Sequence, residues 1–174
     1  MLKKIILIML LVLICYSHVF ASNTYLSFSY STGNNSMFVK QQKEEQTIYE
    51  IEYGQKFQDY KRLWGSVEAA YSTHKYTRVK DSFRIKFWGI YKFNAFNNID
   101  LYSGLGIGIS TYKDNDLVKR CPSSSIGLRI GLEYHITDKT SIITEYETEH
   151  NSGIWIDDSG RNLEFIKMGF KIYF

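Results

Sequence analysis

The last eleven residues of the chain alternate without a break. Glu164, Ile166, Met168, Phe170, Ile172 and Phe174 fall on one side of an extended backbone, and Phe165, Lys167, Gly169, Lys171 and Tyr173 on the other. Successive strand residues point to opposite faces, so this period of two predicts a strand with one apolar and one largely polar face. Seven further segments read the same way. Around 24–31, Leu26, Phe28 and Tyr30 oppose Tyr25, Ser27 and Ser29. Around 46–54, Tyr49, Ile51 and Tyr53 oppose Glu50 and Glu52. In the third, Leu63, Gly65, Val67, Ala69 and Tyr71 oppose Ser66, Glu68 and Ser72. The fourth sets Phe83, Ile85, Phe87, Gly89, Tyr91 and Phe93 against Arg84, Lys86 and Lys92. The fifth, 99–112, sets Leu101, Leu105, Ile107 and Ile109 against Gly104, Gly106 and Gly108. The sixth sets Ile126, Leu128, Ile130, Leu132 and Tyr134 against Arg129 and Glu133, and the seventh sets Ile142, Thr144, Tyr146 and Thr148 against Glu145, Glu147 and Glu149.

Each segment is near the roughly 9–11 residues of a tilted membrane strand, and none carries a 3.6-residue period. The pattern predicts an all-β fold, an eight-stranded antiparallel transmembrane up-and-down β-barrel with its apolar faces toward lipid. The connections alternate in length, as short inner turns and long external loops require. Residues 94–98 and 136–139 read as tight turns, and 32–45, 73–80, 113–122 and 153–162 as longer polar loops. The connection 55–62 is long for an inner turn. Arg84, Lys86, Lys92, Arg129, Lys167 and Lys171 face inward with Glu50, Glu52, Glu68, Glu133, Glu145 and Glu147. A barrel of eight strands is filled by its side chains, so these charges predict a paired plug and argue against a general porin.

The N-terminus fits an exported protein. Lys3 and Lys4 precede an apolar run from Ile5 to Tyr16, and Val19-Phe20-Ala21 forms a small-residue cleavage site. This reads as a signal peptide over 1–21, leaving 22–174 as the barrel. The apolar run is too short to span a bilayer, and Val12-Leu13-Ile14 before Cys15 lacks the small residue of a lipoprotein signal. One proline, 14 tyrosines and 16% aromatics favour strands and interfacial aromatic girdles. A net charge of +3 gives no argument for nucleic acid. Cys121 is the one cysteine after the leader, which excludes an intrachain disulfide in the mature protein. His74 and His135 lie at different ends of the barrel without metal-ligand spacing, so neither a metal nor a cofactor is expected. Asn34-Asn35-Ser36 matches a glycosylation sequon of little meaning in a bacterial barrel.

Chemistry is suggested where the seventh strand ends. Its outward face continues through Thr148 to His150 and Ser152, and the outward face of the antiparallel eighth strand begins at Glu164. The parity of the connections places these groups at the external rim. A serine, a histidine and a carboxylate are the parts of acyl transfer: nucleophile, general base and then acid, and orienting anion. Without the carboxylate, the Ser–His pair reads as an ordinary polar strand end. A carboxylate on the lipid-side face is costly within the apolar band but cheap above it in water, so both readings remain open on these residues.

His150-Asn151-Ser152, followed twelve residues after the serine by Glu164 in the last two strands of a barrel ending on phenylalanine, resembles the PagL family of outer-membrane lipid A 3-O-deacylases. The resemblance is concentrated in 146–174. The terminal Phe174 also resembles the closing residue by which outer-membrane barrels are recognised for insertion. What the resemblance implies is an exterior active site of His150, Ser152 and Glu164 that hydrolyses an acyl ester of lipid A in the bacterial outer membrane. One departure stands out: the family has asparagine after the serine as an oxyanion donor, and this chain has Gly153. The backbone N–H of Gly153, or the amide of Asn151 or Asn162, is the candidate replacement.

Outer-membrane phospholipase A resembles the same end of the chain, although it is a much larger barrel with asparagine where this chain has Glu164. A non-enzymatic small barrel, an adhesin or envelope protein, is the rival of another class. Lipid A or lipopolysaccharide is the expected partner, with Lys75, Arg78, Lys80, Lys113, Lys119 and Arg120 as candidate phosphate contacts. A homodimer is left open.

Overall fold

The computed structural model describes residues 23–37, 43–74, 79–114, 120–153 and 161–174. The leader, and Lys75, Arg78 and Lys119 among the proposed phosphate contacts, lie outside them, as do the side chains of Lys80, Lys113, Arg120 and Ser152. The described residues form eight strands: β1 (Thr24–Met37), β2 (Lys43–Lys56), β3 (Leu63–His74), β4 (Val79–Phe96), β5 (Ile99–Asp114), β6 (Arg120–Thr137), β7 (Thr140–Gly153) and β8 (Arg161–Tyr173). Every neighbour is antiparallel and the order is sequential, with β1 pairing to β8 to close the barrel. Closure satisfies every backbone ladder internally, which a lipid-embedded sheet requires because no water is available to an open edge. At one end β4–β5 and β6–β7 turn on two residues each, Asn97-Asn98 and Asp138-Lys139, while β2–β3 is joined by 57–62.

The strands are longer than the alternation predicts. Expected loop residues belong to strands: Thr32–Met37 and Lys43–Glu45 to β1 and β2, Val79 and Lys80 to β4, with an irregularity in pairing at Lys80, and Arg120–Pro122 to β6. β4 and β6 each reach 18 residues. Alternation marks a strand only where one face meets lipid. Beyond the apolar band both faces are wet, and polar side chains suit either.

The faces follow the predicted parity. Leu105, Ile107, Ile109, Ile126, Leu128, Ile130, Leu132, Ile142, Ile166 and Met168 are exposed on the outer wall. Above them Tyr30, Tyr49, Tyr71 and Phe83 stand opposite one another across four strands. Toward the turn end Tyr91, Phe93, Phe96 and Tyr134 are exposed. An aliphatic belt between two aromatic girdles is the outer surface of a membrane barrel.

Among the described residues the inner face buries six cations with seven glutamates, all at positions that the alternation turns inward. Lys167 Nζ lies 2.8 Å from Glu50, 3.2 Å from Glu68 and 3.2 Å from Glu145, and also contacts Glu147. Arg84 donates to Glu149 at 2.8 Å and to Glu50 at 3.0 Å. Arg129 donates through both terminal nitrogens to Glu52, at 3.1 and 2.7 Å. Nearer the turns, Lys92 and Lys171 converge on Glu133 at 2.9 and 3.2 Å. Glu50, Glu68 and Glu147 approach closely enough to hold a metal ion, but the Lys167 ammonium already occupies their midst.

Glycines on the inner face make room for the large side chains of this plug. Trp88 lies over Gly106 and Gly127: a Cβ on Gly106 would stand 2.5, 2.6 and 2.8 Å from three indole atoms. The indole N–H donates to Glu68 at 3.1 Å, and the Arg129 guanidinium stacks 4.3 Å from the ring centroid. Tyr102 in the same way covers Gly131, and Tyr25 covers Gly54. On the predicted Gly-rich inner face of β5, Gly106 thus seats the Trp88 ring, while Gly104 and Gly108 leave room for the Arg129 and Lys86 side chains.

Candidate functional site

β7 and β8 pair from Thr140↔Ile172 to Asn151↔Arg161. Along β7, Glu145, Glu147, Glu149 and Asn151 are buried in the lumen, while Tyr146 and His150 are exposed on the outer wall and Thr148 is partly exposed between them. On β8, Glu164 is exposed and Asn162 partly so, with Leu163 and Phe165 buried between and beside them. His150 and Glu164 therefore share the outer face. Ser152 follows His150 by two along β7, with Ser124 of β6 as its cross-strand partner.

Ten residues separate His150 from Thr140 at the turn end. At a rise of about 3.3 Å per residue and a tilt near 40°, that is about 25 Å along the barrel axis. The apolar band of such barrels is also about 25 Å tall. His150 thus stands at the outer margin of the hydrocarbon, with Ile126 of β6 beside it and Ile166 two residues below Glu164. A group there meets both lipid acyl chains and headgroups.

The register decides which β8 residue lies nearest the imidazole. His150 is directly opposite Asn162, whereas Glu164 is opposite Thr148. The His150 Nδ1 and Asn162 Oδ1 atoms are 2.8 Å apart, a hydrogen bond in which the ring N–H donates to the amide oxygen. Glu164 is the diagonal neighbour; diagonal pairs sit about 7–8 Å apart, within reach of long side chains. Of the two amides considered as oxyanion donors, Asn151 faces inward and is buried, accepting from Ser110 at 3.5 Å. It cannot serve an exterior site. Asn162 does face the site, with its oxygen turned to the imidazole. Asn162 as an imidazole partner and Ser124 as a cross-strand neighbour escape a reading of motif spacing, because only the register reveals them.

A second Ser–His–Asp cluster lies at the turn end. Ser141 Oγ is 2.9 Å from His135 Nδ1, and His135 Nε2 is 3.0 Å from Asp100. Ser141 is fully buried, so no substrate carbonyl can approach its oxygen. The cluster ties the β6–β7 turn to β5. It opens beside a cavity of about 670 Å³ whose lining includes Arg62, Trp64, Lys92 and Tyr173.

Comparison with known proteins agrees with this architecture. Neisserial surface protein A superposes with a TM-score of 0.72 at 14% identity, covering 88% of this chain and 98% of that structure. The outer membrane enzyme PagL gives 0.58 at 14% identity, covering 85% and 99%. Ail, the attachment invasion locus protein of Yersinia pestis, gives 0.52 at 13% identity, covering 87% and 100%. At such identities the likeness is one of fold, and it extends alike to an enzyme and to proteins named for other roles. No curated protein sequence matches the chain. The model of the outer membrane protein beta-barrel domain matches residues 7–174. The closed eight-stranded barrel, its lipid-facing belt and this match together establish a bacterial outer-membrane protein that belongs to the outer membrane protein beta-barrel domain family.

Proposed function

We propose that the protein is an outer-membrane esterase that hydrolyses an ester-linked acyl chain of lipid A at the outer leaflet. The observation that carries this reading is the exposed imidazole of His150 at the outer margin of the apolar belt, held through Nδ1, with Glu164 diagonal to it and Ser152 two residues further along β7. A lipid substrate diffuses laterally to such a wall and needs no soluble pocket.

In this mechanism Ser152 Oγ attacks the ester carbonyl carbon as its proton passes to His150 Nε2. The resulting oxyanion is met by the backbone N–H of Gly153. The imidazolium returns the proton to the departing sugar alkoxide, leaving an acyl-serine. Water then attacks that ester with the same imidazole as base, releasing the fatty acid and restoring the serine. The Glu164 carboxylate stabilises the imidazolium as it forms. PagL, a barrel of the same fold described as an outer membrane enzyme, lends support by analogy.

Mass spectrometry of lipid A from cells with and without the protein tests the reading. Loss of one acyl chain is expected with the wild type and not with Ser152→Ala or His150→Ala, both of which keep a folded, heat-modifiable barrel. Unchanged lipid A in the wild type refutes it. Glycerophospholipid offered beside lipid A separates phospholipase from deacylase activity. A non-enzymatic surface role, the second reading, is favoured by the likeness to Neisserial surface protein A and Ail. Failure of a serine-reactive phosphonate to label Ser152 would support it. Crosslinking in native membranes reads whether two copies associate.

A further inference from the structure

We infer that Asn162 is the positioning residue that holds the His150 imidazole, with Glu164 acting on the same ring only through its charge. This rests on the reading of Ser152 and His150 as nucleophile and base.

Two acceptors on the outer face of β8 compete for the Nδ1 proton of His150. In an antiparallel pair, directly opposed residues have Cβ atoms about 4.5–5.5 Å apart and diagonal ones about 7–8 Å. The register gives Asn162 the direct position and Glu164 the diagonal one. The amide oxygen of Asn162 stands 2.8 Å from Nδ1. An amide oxygen only accepts a hydrogen bond. The partner nitrogen must therefore carry its proton, which places the basic lone pair on Nε2. That is the tautomer a serine nucleophile two residues along the strand requires, and fixing it is the principal work of the third member of such a triad. An amide does this without adding a charge at the margin of the hydrocarbon, where an ion is disfavoured. Opposed Asn162 and His150 also fix the ring plane, because both side chains are short and spring from paired backbone positions.

The test has one arm that needs no activity. Full-length protein labelled with ¹⁵N-histidine is folded in micelles, and long-range ¹H–¹⁵N correlations report the tautomer of His150, identified by its loss in His150→Gln. The expected result is protonated Nδ1 and unprotonated Nε2 in the wild type and in Asn162→Asp, with this preference lost in Asn162→Ala. In the second arm, lipid A deacylation by Asn162→Ala falls roughly 10²–10⁴-fold, the range lost when a base is mispositioned. Asn162→Asp recovers much of this, and its acid limb moves to higher pH because a carboxylate favours the imidazolium. Glu164→Gln loses less than Asn162→Ala and leaves the tautomer unchanged.

The inference is overturned if the wild type carries its proton on Nε2, if Asn162→Ala leaves the tautomer and rate alone, or if Glu164→Gln abolishes the Nδ1 preference. The two arms separate the failures. A wild type that is Nδ1-protonated through Asn162 but hydrolyses no lipid A refutes the enzymatic reading and leaves Asn162 as the holder of the ring. An active wild type with an unimpaired Asn162→Ala refutes Asn162 alone.

Discussion

Substituting Lys167 by methionine removes one ammonium from among four carboxylates while nearly preserving its length. In the wild type Lys167 Nζ lies 2.8 Å from Glu50 and 3.2 Å from both Glu68 and Glu145, and contacts Glu147. All five side chains are buried. Among the described residues the lumen already holds seven glutamates against six cations, so the variant leaves two uncompensated negative charges among buried groups. Breaking a buried ion pair by deleting one partner costs about 3–5 kcal/mol, or roughly 10²–10⁴ in the folding equilibrium. With a urea dependence near 2 kcal/mol/M, the midpoint of unfolding falls by about 1.5–2.5 M. The assay is urea unfolding in lipid vesicles followed by tryptophan fluorescence, because Trp88 donates to Glu68 at 3.1 Å and so reports on this cluster. The double variant Lys167→Met with Glu147→Gln removes one anion along with the cation and should recover at least half of the loss. A single variant within about 0.5 kcal/mol of the wild type, an ordinary surface-substitution effect, would show that the lumen is wet enough to screen its charges. A double variant no better than the single would equally refute the argument from uncompensated charge.

Gly106→Val should destabilise the barrel by about 1–3 kcal/mol through overpacking against Trp88, and Trp88→Leu in the same chain should relieve it in the same unfolding assay. Ile107→Lys, placing a charge at the middle of the lipid face of β5, should cost about 2–4 kcal/mol, whereas Thr32→Lys near the external end of β1 should cost no more than about 1 kcal/mol. Vesicle-folded Arg129→Met should lose stability comparably to Lys167→Met, since its guanidinium makes paired hydrogen bonds to Glu52 and stacks on Trp88.

Alternation made the transmembrane part of the barrel legible. It placed Glu50, Glu52, Glu68, Glu145 and Glu147 inward and Leu105, Ile107 and Ile109 outward, as the structure does. The reason is energetic: a one-residue slip would turn every charge toward lipid. Strand length was less legible. Ser–Asn–Thr segments such as Thr32–Met37 carry no contrast between faces, and Pro122 looks like a loop residue although it pairs with Thr111. The outer position of Glu164 was legible from parity alone. The alignment of β7 with β8 was not, because a connecting loop of this length constrains register weakly. Asn162 directly across from His150, and Glu164 one pair away, became visible only with the ladder in hand.

The length of β4 and β6 carries a consequence for how the molecule meets the world outside. Eighteen residues rising about 3.3 Å each at a tilt near 40° project roughly 45 Å along the axis, against about 25 Å of hydrocarbon. The exposed aromatics Phe96 and Tyr134 stand close to the two-residue turns, so most of the surplus extends at the opposite end. These staves therefore rise well past the leaflet on the outer side of the membrane. Antibodies and bacteriophages would meet this raised collar well before they reached the wall beneath it.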